Sequence, residues 1–148
     1  QTVKQNEVIP AMLPKYEFSD WMLYEERYWH EAPEQPGVVQ TRDAKTGKTM
    51  FFTSTREGSV NPPSVRGRLG NRDPAKNFRM LSGHEKCLIK GGGKLEFRFA
   101  ITNSAEDALN LKKLLIHRHV REHGNKWDWQ VSKQCPRGRS GGCTICKE

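Results

Sequence analysis

The sequence has no apolar run approaching the roughly 20 residues that a bilayer-spanning helix needs, so no stretch of it reads as a transmembrane segment. Cysteine is scarce: Cys87, Cys135, Cys143 and Cys146 are the four in 148 residues. That is too sparse for a secreted disulfide scaffold, and an intracellular, reducing compartment is the simpler expectation. Hydrophobic residues make up 34% of the chain and the mean hydropathy is −0.83, which implies a modest core under a heavily charged surface. No secretory signal is visible at the start, although residue 1 is Gln, as a removed leader would also leave it. A lipidation motif and a basic Trp/Leu-faced helix are both missing, which argues against a membrane-surface role.

The charge that is present is unevenly placed. The formal net charge is +8, yet residues 1–35 carry three Lys/Arg against seven Asp/Glu, and residues 36–148 carry twenty-two against ten. The chain is long enough for one domain with a real core. It divides into an acidic lead-in and helix (1–35), a core (36–124) and a basic, cysteine-containing tail (125–148). A basic body of this kind points to a polyanionic partner, nucleic acid being the commonest. The plainer alternative is a solvated basic surface with no partner.

Periodicity supplies the elements. Ser19 or Asp20 can cap a helix through "WMLYEERYWHEA" that ends at Pro33. Its Trp21, Tyr24, Tyr28 and Trp29 form an aromatic face suited to core packing or, less naturally in an acidic segment, to base stacking. "GVVQTR", "DAKTG" and "KTMFFTST" then read as strand, turn and strand, with Gly47 supplying turn geometry. Pro63 can open a short helix through "SVRGRL", whereas residues 78–86 fit no single pattern. "KCLIKGGGKLEFRFAIT" suggests a second hairpin, because Leu95, Phe97, Phe99 and Ile101 alternate with Glu96, Arg98 and Ala100. Its glycines lack the GK[ST] and the following helix of a phosphate-binding loop. Ser104 starts a long helix with acidic residues in its first turn, and Gly124 closes it. The expected fold class is α+β, a small antiparallel sheet of three to four strands flanked by helices.

Within the long helix, "LNLKKLLIHRHV" places two polar residues on an apolar face. Ala108, Leu111 and Leu115 project to one side, with Leu109, Ile116 and Val120 flanking. Lys112 and His119 fall between them, two turns apart. A buried ammonium is costly unless paired, so this stripe borders either a charge partner or a wet, functional surface.

The order hairpin, arginine-bearing helix, strand, long helix resembles the GIY-YIG nuclease family over residues 36–120. Gly37-Val38-Val39 stands where GIY would be, Thr46-Gly47-Lys48 matches the turn, and Met50-Phe51-Phe52 stands where YIG would be. Ser54 matches a polar residue that commonly follows. "VRGRL" is similar to the segment carrying the family's arginine, which makes Arg66 or Arg68 the candidate. "LEFRFAITNSAEDALNLKKLLI" resembles the third strand and the glutamate-bearing helix.

The resemblance implies a tyrosine near the attacking water, an arginine on the phosphate, and a glutamate holding a divalent metal that polarises the phosphodiester. This chain departs from that set. The first tyrosine is replaced by Val39, the second by Met50 (or by Phe51, one residue on), and the glutamate position falls on Lys112. An ammonium repels the cation a carboxylate would hold. Glu106 lies about a turn and a half from Lys112, too far to substitute. No catalytic residue is therefore assigned, and Lys112 is expected to pair with a phosphate, to pair with a protein carboxylate, or to snorkel to water at the helix edge.

Cys143 and Cys146 form a C-x-x-C knuckle with Cys135 eight residues before it, a recognised half-site for structural zinc. Cys87, His117, His119 or His123 could complete the tetrahedron; two free thiols or a redox pair are the other readings. His119 and His123, at i and i+4, also have a spacing that suits zinc, although His119 reads more simply as a packed histidine. Three functional expectations follow. The first is a nucleic-acid-binding module, on RNA or DNA and within a ribonucleoprotein assembly in one version, with phosphates on Lys48, Arg56, Arg66, Arg68, Lys112 and Arg118. Its acidic N-terminal helix would face a protein partner. The second is an active Mg²⁺-dependent endonuclease in which Tyr24, Tyr28 or Glu96 replaces the lost groups. The third is a zinc-stabilised domain that meets an acidic protein.

Overall fold

The hairpin forms because its turn is locally encoded. Gly47 takes a left-handed φ of +77°, a conformation that costs glycine nothing, and its N–H donates to the Asp43 carbonyl at 2.8 Å. Strands β2 (Gly37–Asp43) and β3 (Thr49–Ser54) run antiparallel from this turn. The computed structural model describes residues 15–56 and 63–123, apart from the side chains of Val120 and His123. The strands are joined there by β1 (Met22–Leu23) and β4 (Leu95–Ile101) in a four-stranded antiparallel sheet of order β1-β4-β2-β3. Four helices accompany it: α1 (Glu26–Trp29), α2 (Val65–Asn71), α3 (Gly83–Lys90) and α4 (Ala105–His123), with a 3₁₀ turn at Phe78–Met80. The fold is α+β, as the periodicity predicts.

Alternation along the strands divides the core between the two faces of the sheet. Val39, Leu95 and Phe97 pack with Tyr24, Val65, Leu69 and Leu81 beneath α2 and α3. Val38, Phe52 and Ala100 pack with Ala108, Leu111, Leu114, Leu115 and Ile116 of α4. The β2–β3 ladder slips between Thr41 and Arg42. That irregularity lets the neighbours Met50 and Phe51 both pack on the first cluster. At the start of β2, Gly37 lies so close to β4 that a Cβ there would sit 2.2 Å from the Ala100 carbonyl oxygen. The long helix starts where its cap was expected: Ser104 Oγ accepts from the Asp107 N–H at 3.0 Å.

Two expectations are corrected. The helix expected over residues 21–32 is instead β1 followed by the single turn α1. Met22 and Leu23 pair with Phe97 and Glu96, so the backbone groups on the free side of β4 gain partners that a helix would have denied them. Residues 86–90, expected as a strand, are the second half of α3. Its start is fixed by a reciprocal capping box: Ser82 Oγ accepts from the Glu85 N–H while the Glu85 carboxylate accepts from the Ser82 N–H. Gly91 then caps the helix and Gly92, at φ +90°, turns the chain towards β4. Among the described residues no helix is long and apolar enough to cross a membrane.

Candidate functional site

Among the described residues β3 is an outermost strand, and a groove of about 840 Å³ runs beside it. One wall comes from α2 and the segment running into α3, the other from the first half of α4. Its cations are Arg56, Arg68, Arg72, Lys112 and Lys113, and Glu106 is the one carboxylate among its lining residues. The buried residues Thr53, Ser54, Thr55 and Ser82 complete the lining.

Each cation reaches the groove for a local reason. Arg68 and Arg72 are four residues apart, hence on one side of α2 and its C-terminal cap. Arg68 Nε donates to Thr53 Oγ1 at 2.9 Å, which ties α2 to β3. Burial, and after it the positive charges of Arg72 and Arg56, pushes the Arg68 guanidinium below its ordinary range. Arg68 makes no ion pair among the described residues, so its charge is left uncompensated. It nonetheless stays protonated at any physiological pH.

Arg72 differs because it is 3% exposed and paired. Its Nη2 donates to Glu85 Oε1, its guanidinium lies 4.8 Å from the Phe51 ring centroid, and Glu85 also accepts from the Thr41 hydroxyl. Arg72 Nη1 is buried without a hydrogen-bond partner, the one such side-chain atom among the described residues. On the opposite wall Lys112 is half-buried and Lys113 exposed. Two turns beyond Lys112, His119 meets the Phe52 ring edge-on at 6.2 Å. The polar stripe on the long helix thus borders a cationic groove.

The structure gathers Arg56, Arg68 and Lys112 and separates the remaining candidates. Lys48 is exposed in the hairpin turn. Arg66 points to the other side of α2, where its Nε donates to the Ala32 carbonyl at 2.8 Å and its Nη1 pairs with Glu34 at 3.2 Å. Arg118 donates to the Tyr16 hydroxyl at 3.0 Å. Arg72 and Lys113 were missed, although the i, i+4 step from Arg68 was a readable signal for the first.

Tyr24, Tyr28 and Glu96, the groups the nuclease expectation relies on, do not line the groove. Tyr24 is buried, donates to the Leu69 carbonyl at 2.8 Å, and has its pKa pushed up by burial. Tyr28 packs under Arg27, and Glu96 is ion-paired with Arg42 at 2.7 Å. Two carboxylates of the acidic N-terminal region are ion-paired as well, Glu26 with Lys76 and Glu34 with Arg66. Trp21 lies under the guanidinium groups of Arg42 and Arg98, at 4.0 and 4.6 Å. Arg98 also covers Phe18 at 3.8 Å.

The proposed zinc ligands Cys135, Cys143 and Cys146 lie outside the described residues. Cys87, offered as a fourth zinc ligand, is buried on α3 and disulfide-bonded, so it has no thiolate to give a metal ion. Among the described residues no three His, Cys, Asp or Glu side chains converge as a metal site would require. Comparison of the chain with family models, with curated proteins and with solved structures finds no match.

Proposed function

We propose that this chain is a nucleic-acid-binding module that takes a phosphate backbone into the groove beside β3, on a GIY-YIG-like scaffold without nuclease chemistry. The observation that carries the reading is the groove's charge: Arg56, Arg68, Arg72, Lys112 and Lys113 against Glu106 alone. Glu85 offsets Arg72, and Arg56, Arg68 and Lys113 against Glu106 give a local excess of about two positive charges to attract phosphate and repel a metal cation. Replacement of the family's glutamate by Lys112 agrees with loss of cleavage.

The test is equilibrium binding of a fluorescein-labelled oligonucleotide as a function of salt. With Arg56, Arg68 and Lys113 on phosphates, log K should fall against log[salt] with a slope of roughly −3. Arg56→Ala and Lys113→Ala should each flatten that slope by a little under 1. An unchanged slope in both variants would remove the groove from the interface. Plasmid cleavage in Mg²⁺ that disappears in Arg68→Ala would replace the binding-only reading with the nuclease one.

A further inference from the structure

Two large apolar side chains are exposed among the described residues, Met80 at 52% and Leu109 at 39%. Both line the cationic groove, Met80 from the 3₁₀ turn on one wall and Leu109 from α4 on the other. Exposed apolar groups scattered singly need no explanation. Two that line one groove, from opposite walls that also carry arginine and lysine side chains, describe a ligand with both anionic and apolar parts.

We infer that the groove takes an unpaired nucleic-acid strand, its phosphates on Arg56, Arg68 and Lys113 and its bases against Met80 and Leu109. This rests on the nucleic-acid reading above and specifies the form of the polymer. In a duplex the base faces are stacked on one another, so the apolar lips would meet only sugars and phosphates. In a single strand each base offers a π-face, which a thioether or an isobutyl group can cover without reading sequence. The cations supply the phosphate contacts that either form of the polymer needs. Arg56, Arg68 and Lys113 make no ion pair among the described residues, so each remains open to a phosphate oxygen.

The experiment compares a fluorescein-labelled oligothymidylate with a DNA duplex of equal length, on the full chain at fixed salt. The single strand should bind about tenfold more tightly. Met80→Ser and Leu109→Ser should each weaken it about three- to tenfold while leaving the salt slope and the duplex affinity unchanged, and Met80→Leu should retain it. Both residues are already half in water, so the serine variants are expected to fold, with unchanged circular dichroism. Equal affinity for the two probes, or serine variants that bind normally while Arg56→Ala and Lys113→Ala still weaken binding, would overturn the inference and spare the groove. Loss of any effect from Arg56→Ala and Lys113→Ala would sink the nucleic-acid reading itself. Displacement of the oligothymidylate by an oligoglutamate of equal charge at equal concentration would also overturn the inference, in favour of an acidic peptide.

Discussion

Glu85→Gln is the most revealing perturbation of the wall beneath the groove. Glu85 is 0% exposed, and its carboxylate accepts from Arg72, from the Thr41 hydroxyl and from the Ser82 N–H. A glutamine can keep nearly all of this geometry. Its carbonyl can serve Arg72 and Ser82, and its amide can donate to Thr41, whose hydroxyl accepts as well as it donates. What disappears is the negative charge, and Arg72, 3% exposed and beside Arg68, is left buried without compensation. Breaking a buried pair in this way costs about 3–5 kcal/mol, and the preserved hydrogen bonds place this variant near 3. With a urea m-value of about 2 kcal/mol/M the denaturation midpoint, followed by far-UV circular dichroism, should fall by about 1.5 M. Adding Arg72→Met removes both charges while retaining the cap on α3, and should recover most of the loss. A loss below about 1 kcal/mol for Glu85→Gln would refute the electrostatic argument, as would a double variant no more stable than the single.

Two further outcomes test the fold. Gly37→Ala places a methyl 2.2 Å from the Ala100 carbonyl oxygen and 2.8 Å from Val65 Cγ2. β2 and β4 must separate, at a cost of about 3 kcal/mol or more. The thermal midpoint should drop by about 6–12 °C, and a normal melt would show that the two strands are less closely apposed. Tyr24→Phe removes the hydrogen bond to Leu69 and should cost about 1 kcal/mol at neutral pH. Because burial raises the Tyr24 pKa above its ordinary 10.0, the stability it contributes is whole below pH 10 and drains away as pH rises towards the folded-state value. Wild type and Tyr24→Phe stability curves should therefore converge from pH 10 upward. Curves that stay parallel there would contradict the buried, neutral phenol.

Sequence periodicity was sufficient for the elements whose information is local. The Gly47 turn, the alternation from Leu95 to Ile101 and the Ser104 cap each specify their element within a few residues, and all appear as expected. The two errors arose where distant partners decide. Met22 and Leu23 belong to a strand because Phe97 and Glu96 lie beside them, a fact no local pattern around Trp21 contains. "KCLIK" has β-branched and apolar character, yet the Ser82–Glu85 box upstream commits it to helix. The groove was half legible for a similar reason. The spacing on the long helix located Lys112 on a polar stripe, but Arg66 and Arg68 differ by two residues and so point to different sides of α2. Which of them met the groove depended on where Glu34 and Thr53 stood. Arg72 was hidden because the helix read through "SVRGRL" stops at Leu69, whereas α2 continues through Gly70 and Asn71 and is capped by Arg72.

The position of β3 at the end of the strand order has a bearing on how the molecule behaves at high concentration. A strand at the end of a sheet is a template for self-association, and proteins commonly discourage such sticking by placing like charges next to it. Arg56, Arg68 and Lys113 stand along that margin, so two copies approaching strand to strand would bring matching cations into opposition. The side chains that suit this surface to a polyanion also keep it from itself, and stripping them to abolish binding should make the protein prone to precipitate as well.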